Sequence, residues 1–103
     1  MHYFYVLYSL KDNRLYKGYS SDIATRFQKH MAGGNTSTKN RRPLVLIYLE
    51  QFDSKKEAMA RERWSKLLEG GVELSGLLIE KGILSMDKKL KGSSASINRD
   101  IAS

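Results

Sequence analysis

The sequence predicts an α+β fold, in which a three-stranded antiparallel sheet is flanked by helices in the chain order β-β-α-β-α-α. Residues 3–19 read as a β-hairpin, residues 44–52 as a buried strand, and two segments with helical periodicity lie on either side of that strand. At 103 residues, the chain is long enough for one domain with one modest core.

The hairpin is predicted from aromatic and β-branched residues in YFYVLYS at 3–9 and from LYKGY at 15–19, with turn residues at Asp12-Asn13 between them. The two strands are therefore expected to pair antiparallel. Alternation predicts one face with Phe4, Val6 and Tyr8, and an opposite face with Tyr3, Tyr5 and Leu7.

A helix is expected next, capped by one of residues 20–22 and ended by the Gly-Gly pair at 33–34. The polar, basic segment NTSTKNRRP at 35–43 has no periodicity and is expected to be a mobile loop. LVLIYLEQF at 44–52 is nearly continuously apolar, which favours a strand covered on both faces. In the helix expected before this loop, the residues predicted to face the core are Ile23, Phe27 and Met31.

Ser54 and Glu57 form a capping box that opens a second helix, expected to run to about Leu68. The Gly-Gly pair at 70–71 is expected to close it, and a shorter helix is expected over 72–80.

Residues 1–84 are expected to form the domain, and 85–103, which contain GSSAS and little to bury, a disordered tail. No cysteine is present, which excludes disulfides, thiol nucleophiles and thiolate metal sites. The N-terminus lacks signal-peptide features and no run reaches transmembrane length, so we expect a cytoplasmic protein with no membrane partner.

Positive charge is concentrated in one half of the chain. The formal net charge is +7, and residues 11–42 carry eight basic and two acidic side chains, whereas 43–85 carry six and seven. Basic residues interleaved with tyrosines suit phosphate contacts and base stacking, so a polyanionic partner is expected. The positive charge by itself is equally compatible with a solvated basic surface that only improves solubility.

Five residues then form a recognisable pattern. Tyr5 precedes Tyr16 by eleven residues, Gly18 follows closely, Arg26 lies ten residues beyond Tyr16, and Glu62 falls in EAMARERWSK of the second helix. This pattern resembles the GIY-YIG endonuclease superfamily over about residues 3–68. The similarity is closest to small standalone members that consist of the nuclease module alone.

The resemblance implies a metal-dependent endonuclease that hydrolyses DNA, or RNA, phosphodiester bonds, with a role in DNA repair or recombination. By resemblance, Tyr16 takes a proton from the attacking water, Arg26 holds a phosphate oxygen, and Glu62 binds one Mg²⁺ or Mn²⁺. Tyr5 would orient water or phosphate, and His30, one turn after Arg26, would add a phosphate contact or a proton relay.

Residues expected to bind the nucleic acid have basic or aromatic side chains, and they are Lys17, Tyr19, Lys39, Arg41 and Arg42. A free tyrosine has a pKa of about 10. Catalysis by Tyr16 is therefore expected to need nearby positive charge that lowers its pKa, from Lys17, Arg26 or a divalent ion.

Structural explanations compete with these roles. Tyr5 and Tyr16 would then be half-buried strand residues, and Arg26 and His30 ordinary helix-flank residues. Glu57 is explained by its cap and is excluded from the site. Periodicity alone predicts an exposed Glu62, because the apolar stripe on the opposite side of its helix consists of Ala60, Trp64 and Leu67. Ala58 and Met59 lie within about 60° of Glu62, however, so this face is not wholly polar and could line a shallow cleft.

The alternative function is a catalytically weak nucleic-acid-binding module that uses the same basic, tyrosine-rich face. The sequence leaves open whether a protein partner, a homodimer or the loop at 35–43 supplies targeting.

Overall fold

The structure is a computed structural model, and it describes residues 1–34 and 38–90. Its sheet has the strand order β2-β1-β3, with both pairings antiparallel, which confirms the predicted α+β class. The elements are β1 (His2–Ser9), β2 (Leu15–Ser20), α1 (Ile23–Met31), a 3₁₀ turn (Lys39–Arg41), β3 (Leu44–Phe52), α2 (Lys55–Lys66) and α3 (Leu68–Glu80).

The central strand β1 is covered on both faces, as its apolar composition requires. The two predicted faces are confirmed, because alternate β1 residues enter two separate apolar clusters. The first cluster lies against α3 and includes Phe4, Val6, Tyr8, Ile47, Leu74 and Leu78. The second lies against α1 and includes Tyr5, Leu7, Leu44 and Leu46, with Ile23 and Phe27 packed on it.

Strand β3 is apolar almost throughout because both of its faces are covered, and a β-bulge interrupts its alternation. Val6 pairs with Tyr48 and Leu7 with Leu46, so Ile47 is the extra residue. Ile47 and Tyr48 consequently both lie on the α3 side, although they are adjacent in sequence. Beyond the bulge, successive side chains of β3 again point to opposite faces of the sheet, and both faces are packed against apolar residues.

Helix α1 begins and ends as predicted, but one position of its core stripe is wrong. Asp22 is the N-cap, and its side chain accepts a hydrogen bond from the Thr25 backbone N–H. The helix ends before Gly33, which has a φ of +81°. Met31 is 39% exposed, whereas His30 is only 4% exposed. A histidine therefore takes the buried position because it finds hydrogen-bond partners there.

The prediction that the Gly-Gly pair at 70–71 closes the second helix is wrong. Helix α2 ends at Lys66, with Leu67 as its C-cap, and Gly70 and Gly71 lie inside the first turns of α3. A Cβ at Gly70 would lie 1.7 Å from the Trp64 carbonyl oxygen. Gly70 is therefore required by the close approach of α2 and α3 at their corner, and it does not terminate a helix.

The apolar stripe predicted on α2 is not its buried face. Trp64 and Leu67 are exposed, whereas the small residues Ala58 and Ser65 are fully buried. Between them, Arg61 lies over the Phe4 ring, with its guanidinium carbon 4.9 Å from the ring centroid, and its Nε is 2.9 Å from a Glu50 oxygen. Small residues and a paired arginine replace a conventional apolar stripe, so hydrophobic periodicity misidentified the packed side.

Part of the expected tail is described. Residues 85–90 form a turn closed by an isolated bridge between Leu84 and Leu90, and Leu90 packs against the α3-side core. The remaining tail, residues 91–103, and residues 35–37 of the expected loop lie outside the described residues. The domain boundary at residue 84 stays a prediction. Within the described ranges, no helix has the length and hydropathy needed to cross a membrane.

We expect Gly70→Ala to destabilise the protein towards the upper end of the about 1–3 kcal/mol typical of overpacking, because the new methyl group would collide with backbone. Gly76→Ala is the matched control, since Gly76 is an exposed residue of the same helix and the new methyl group would enter open space there. We expect Gly76→Ala to stabilise by roughly 0.5–1 kcal/mol. Urea unfolding of both variants measures the difference, and equal effects would contradict the packing argument.

Candidate active site

An open cavity of about 930 Å³ lies along the edge strand β2 and extends to α1 and α2. It brings together residues that are far apart in sequence. All five candidate catalytic residues line it: Tyr5, Tyr16, Arg26, His30 and Glu62. Two of the predicted nucleic-acid-binding residues, Lys17 and Tyr19, line it as well.

Tyr5 and Gly18 lie directly opposite each other on β1 and β2. A Cβ at Gly18 would lie 2.3 Å from the Tyr5 hydroxyl oxygen and 2.5 Å from the ring carbon that carries it. The glycine therefore makes room for the Tyr5 ring, which is buried but lines the cavity. Burial raises the pKa of Tyr5, the Arg26 charge works against this, and the Glu62 charge adds to it, so the phenol is neutral.

A buried chain of hydrogen bonds connects Tyr5 to the segment before β3. The Tyr5 hydroxyl lies 3.1 Å from His30 Nε2, and His30 Nδ1 lies 2.7 Å from Thr38 Oγ1. Burial lowers the pKa of His30, and the charges of Arg26 and Lys29 lower it further. The neutral imidazole then has one donor and one acceptor nitrogen, which suits two hydroxyl partners. Sequence reasoning missed Thr38, because nothing in its spacing marks it as a partner of His30.

The cavity is electropositive. Its lining includes one carboxylate, from Glu62, and four cationic side chains, from Lys17, Arg26, Lys55 and Lys66. Burial lowers the pKa of Lys17, and the nearby Lys66 charge adds to the effect. Like charges gathered at one opening favour an anionic ligand that neutralises them.

Glu62 lies on the packed side of α2, contrary to the exposed position that periodicity predicted. Its side chain is 17% exposed, and one of its oxygens is 3.2 Å from Lys66 Nζ. The buried Ala58 and Ser65 lie on the same side of the helix and allow α2 to approach β1 and β2. Lys66 was not predicted, although its i,i+4 spacing from Glu62 is a recognised signal for an ion pair.

Tyr16 lies in a different electrostatic environment from the one expected. Its hydroxyl donates a hydrogen bond to Asp12 Oδ2 at 2.9 Å. Burial and the Asp12 carboxylate raise the pKa of Tyr16, and the charges of Arg41 and Arg14 only partly oppose them. The expectation that nearby positive charge lowers this pKa is therefore wrong for the chain alone.

The basic residues of the 38–43 segment lie elsewhere. Lys39, Arg41 and Arg42 are not among the residues that line the cavity. Arg42 donates to the Met31 and Lys39 carbonyl oxygens, and the first of these contacts helps to satisfy the end of α1. Arg41 Nε lies 3.3 Å from Asp12 Oδ2. Their expected contacts with nucleic acid stay predictions.

A divalent cation in this cavity would depend on Glu62. Among residues 1–34 and 38–90, no group of three or more His, Asp or Glu side chains is arranged to hold an ion. Of the described residues that line the cavity, Glu62 alone carries a carboxylate. A single carboxylate suits Mg²⁺, which keeps several of its waters and completes its shell with substrate phosphate oxygens.

The class of protein follows from this fold and from comparison with known proteins. Residues 1–70 match the family model of the GIY-YIG catalytic domain, and the chain belongs to that family.

Relatives within the family are small proteins. The chain is 52% identical over 62 residues to a UPF0213 protein of Staphylococcus haemolyticus, covering 59% of this chain and 74% of the relative. It is 46% identical over 68 residues to the UPF0213 protein YazA of Bacillus subtilis, covering 65% and 68%. A solution NMR structure of a UPF0213 protein from Bacillus halodurans is 37% identical, covering 74% of this chain and 83% of that one with a TM-score of 0.47.

We expect the stability of the protein to fall as the pH drops from 7.5 to 5.5. In the unfolded chain, His30 takes a proton near its ordinary pKa of about 6.5, whereas the folded protein resists that protonation. The unfolded state then binds more protons, and the free energy of unfolding decreases by up to about 1.4 kcal/mol per pH unit.

His30→Gln should flatten this pH dependence, and His2→Gln, which changes the other histidine, should preserve it. Chemical denaturation at four or five pH values provides the measurement. If the His30→Gln curve keeps the wild-type slope, then His30 does not carry the effect.

Proposed function

We propose that this protein is a metal-dependent endonuclease that hydrolyses DNA phosphodiester bonds, with a role in DNA repair or recombination. One observation carries the proposal: Tyr5, Tyr16, Arg26 and Glu62 line a single electropositive cavity, although they come from two strands and two helices. The membership of the chain in the GIY-YIG catalytic-domain family supports the same activity.

The reaction needs an activated water and stabilisation of the charge that develops on the phosphorus oxygens. The Arg26 guanidinium presents planar donors to a non-bridging oxygen, and Lys17, Lys55 and Lys66 add positive charge at the cavity wall. Tyr16 takes the proton from water. Tyr5, neutral and fixed by His30, donates or accepts a hydrogen bond that orients the water or the phosphate.

Glu62 would hold Mg²⁺ or Mn²⁺, with Lys66 released from its ion pair. When bound, such an ion supplies Lewis-acid stabilisation of the leaving 3′ oxygen. His30 acts at one remove, through Tyr5, because it is buried and hydrogen-bonded at both nitrogens. Targeting by a protein partner or a homodimer stays a prediction.

The second candidate is a nucleic-acid-binding module with negligible catalysis. The raised pKa of Tyr16 favours it, because a protonated phenol is a poor base but a good stacking surface. Both candidates use the same cations, so binding alone does not separate them, whereas cleavage does.

We expect supercoiled plasmid to be nicked in the presence of Mg²⁺, and we expect Glu62→Gln and Arg26→Ala each to reduce the rate at least about a hundredfold. Matched controls are Glu80→Gln and Arg63→Ala, which alter exposed residues outside the cavity lining and should leave the rate unchanged. Gel assays with plasmid and with single-stranded RNA measure the rates and the choice of polymer. Cleavage that survives both cavity substitutions rules out this site, and tight binding without any product favours the second candidate.

We also expect the affinity for duplex DNA to fall with salt, with a slope of log K against log salt of about −0.9 for each phosphate contact. Arg26→Gln should make this slope shallower by about 1, because one phosphate contact is lost. Arg63→Gln should not change the slope, because Arg63 is not part of the cavity lining. Fluorescence anisotropy at 50–300 mM salt is the measurement, and a salt-independent affinity would contradict phosphate recognition by either candidate.

A further inference from the structure

The Asp12 carboxylate contacts Tyr16 but is not part of the cavity lining. Tyr16 lines the cavity and Asp12 does not, yet the Tyr16 hydroxyl donates to Asp12 Oδ2 at 2.9 Å. The Tyr16 hydroxyl is therefore the contact through which Asp12 can act on a molecule in the cavity. The Asp12 carboxylate would therefore not be in contact with a phosphate bound in the cavity.

Asp12 is held in a fixed position by its own hairpin turn. Its Oδ1 accepts a hydrogen bond from the Arg14 backbone N–H at 3.0 Å, and its backbone N–H donates to Ser9 Oγ at 3.2 Å. The next residue, Asn13, has a φ of +59°, which tightens the turn. Arg41 Nε lies 3.3 Å from Oδ2. Backbone and charge together set the orientation of the carboxylate towards Tyr16.

The proton lies on the phenol in the resting pair. Burial opposes ionisation of Asp12, but hydrogen bonds from Tyr16 and Arg14 and the charge of Arg41 hold its pKa below the usual value. Burial and the bond to Asp12 raise the pKa of Tyr16. At neutral pH the carboxylate is thus ionised and the phenol is protonated. A mechanism that needs free Tyr16 phenolate would use a very small fraction of the molecules.

We propose that Asp12 is a positioning residue that orients Tyr16 and accepts its proton, so that the two side chains act together as the base; this rests on the proposed endonuclease function. The phenol oxygen takes a proton from the attacking water while the phenolic proton passes to Asp12 Oδ2. The water oxygen forms a bond to phosphorus, and the bond from phosphorus to the 3′ oxygen breaks. The 3′ oxygen leaves with that electron pair and is protonated by solvent, and Asp12 later returns its proton to solvent.

Other charged groups limit the pH range in which this pair is tested. Arg14 of the hairpin and Arg41 of the 3₁₀ turn act on the pair directly. The groups that line the same cavity as Tyr16 include Lys17, Arg26, His30 and the Glu62–Lys66 pair. The range pH 7.0–8.5 lies above the ordinary titration of histidine and carboxylates, and largely below that of lysine. Lys17, whose pKa burial lowers, is common to all the variants compared, so a change of rate within this range that appears in Asp12→Asn and not in the wild type reports the Tyr16–Asp12 pair.

The test compares plasmid cleavage with Mg²⁺ by the wild-type chain, Asp12→Asn and the control Asp53→Asn, which alters an exposed aspartate outside the cavity lining. We expect shallow pH profiles for the wild type and the control, because the carboxylate is already ionised. Asp12→Asn should be about ten- to a hundredfold slower at pH 7, with a rate that rises by up to about tenfold per pH unit as phenolate forms. A shallow profile for Asp12→Asn overturns the relay.

A double-mutant cycle separates the relay from a structural role. In a Tyr16→Phe background, Asp12→Asn should cause no further loss of rate, because the acid acts only through the phenol. An additive further loss overturns the proposal. A wild-type chain that cleaves no substrate overturns the endonuclease function together with the relay, whereas an active wild type with an unaffected Asp12→Asn overturns the relay alone.

The contact itself can be measured without cleavage. Titration of ¹³C-labelled tyrosine rings by NMR, with Tyr16 assigned through Tyr16→Phe, should show a lower Tyr16 pKa in Asp12→Asn than in the wild type. Asp53→Asn should leave that pKa unchanged. An unchanged Tyr16 pKa in Asp12→Asn overturns the proposal, because the acid would not control the phenol.

Discussion

The close approach of the Tyr5 ring to the Gly18 backbone is the constraint on which the site depends. Any side chain at Gly18 would overlap the phenol, so the pairing of β1 with β2 determines where the Tyr5 hydroxyl lies. That hydroxyl meets His30 of α1, and His30 meets Thr38. Because Gly18 leaves room for the Tyr5 ring, it permits the contacts that join β1 to α1 and to the segment before β3.

Burial of this polar chain is compatible with a stable fold only because each member has a partner. An unpaired buried imidazole or hydroxyl would lose its hydration without compensation, at about 1–3 kcal/mol. The contacts of His30 with Tyr5 and Thr38 avoid that loss and fix the ring. The same contacts leave Arg26, one turn earlier on α1, at the cavity wall. Fold stability and placement of the cavity cations therefore rely on the same few side chains.

Sequence periodicity predicted the elements in which apolar side chains are the buried ones. The two faces of β1 followed from strict alternation, and the start of α1 followed from its cap. Prediction failed where a polar or small residue packs: His30 replaces Met31 in α1, and Ala58 and Ser65 replace the expected stripe in α2. Hydrophobicity scales do not register hydrogen-bond partners or close helix packing, so Gly70 was taken for a terminator. The site residues came from spacing and family resemblance, which do not identify partners such as Thr38 and Asp12.

The two acids near the cavity differ in position, and the difference matters for an anionic ligand. Glu62 lines the wall and is paired with Lys66, whereas Asp12 is not part of the lining and is paired with Arg41 and hydrogen-bonded to Tyr16. A phosphate in the cavity would meet four cations and one paired carboxylate. The negative charge near the cavity is thus paired, and the field at the opening stays positive. A site that binds a polyanion and removes a proton beside it needs both properties at once.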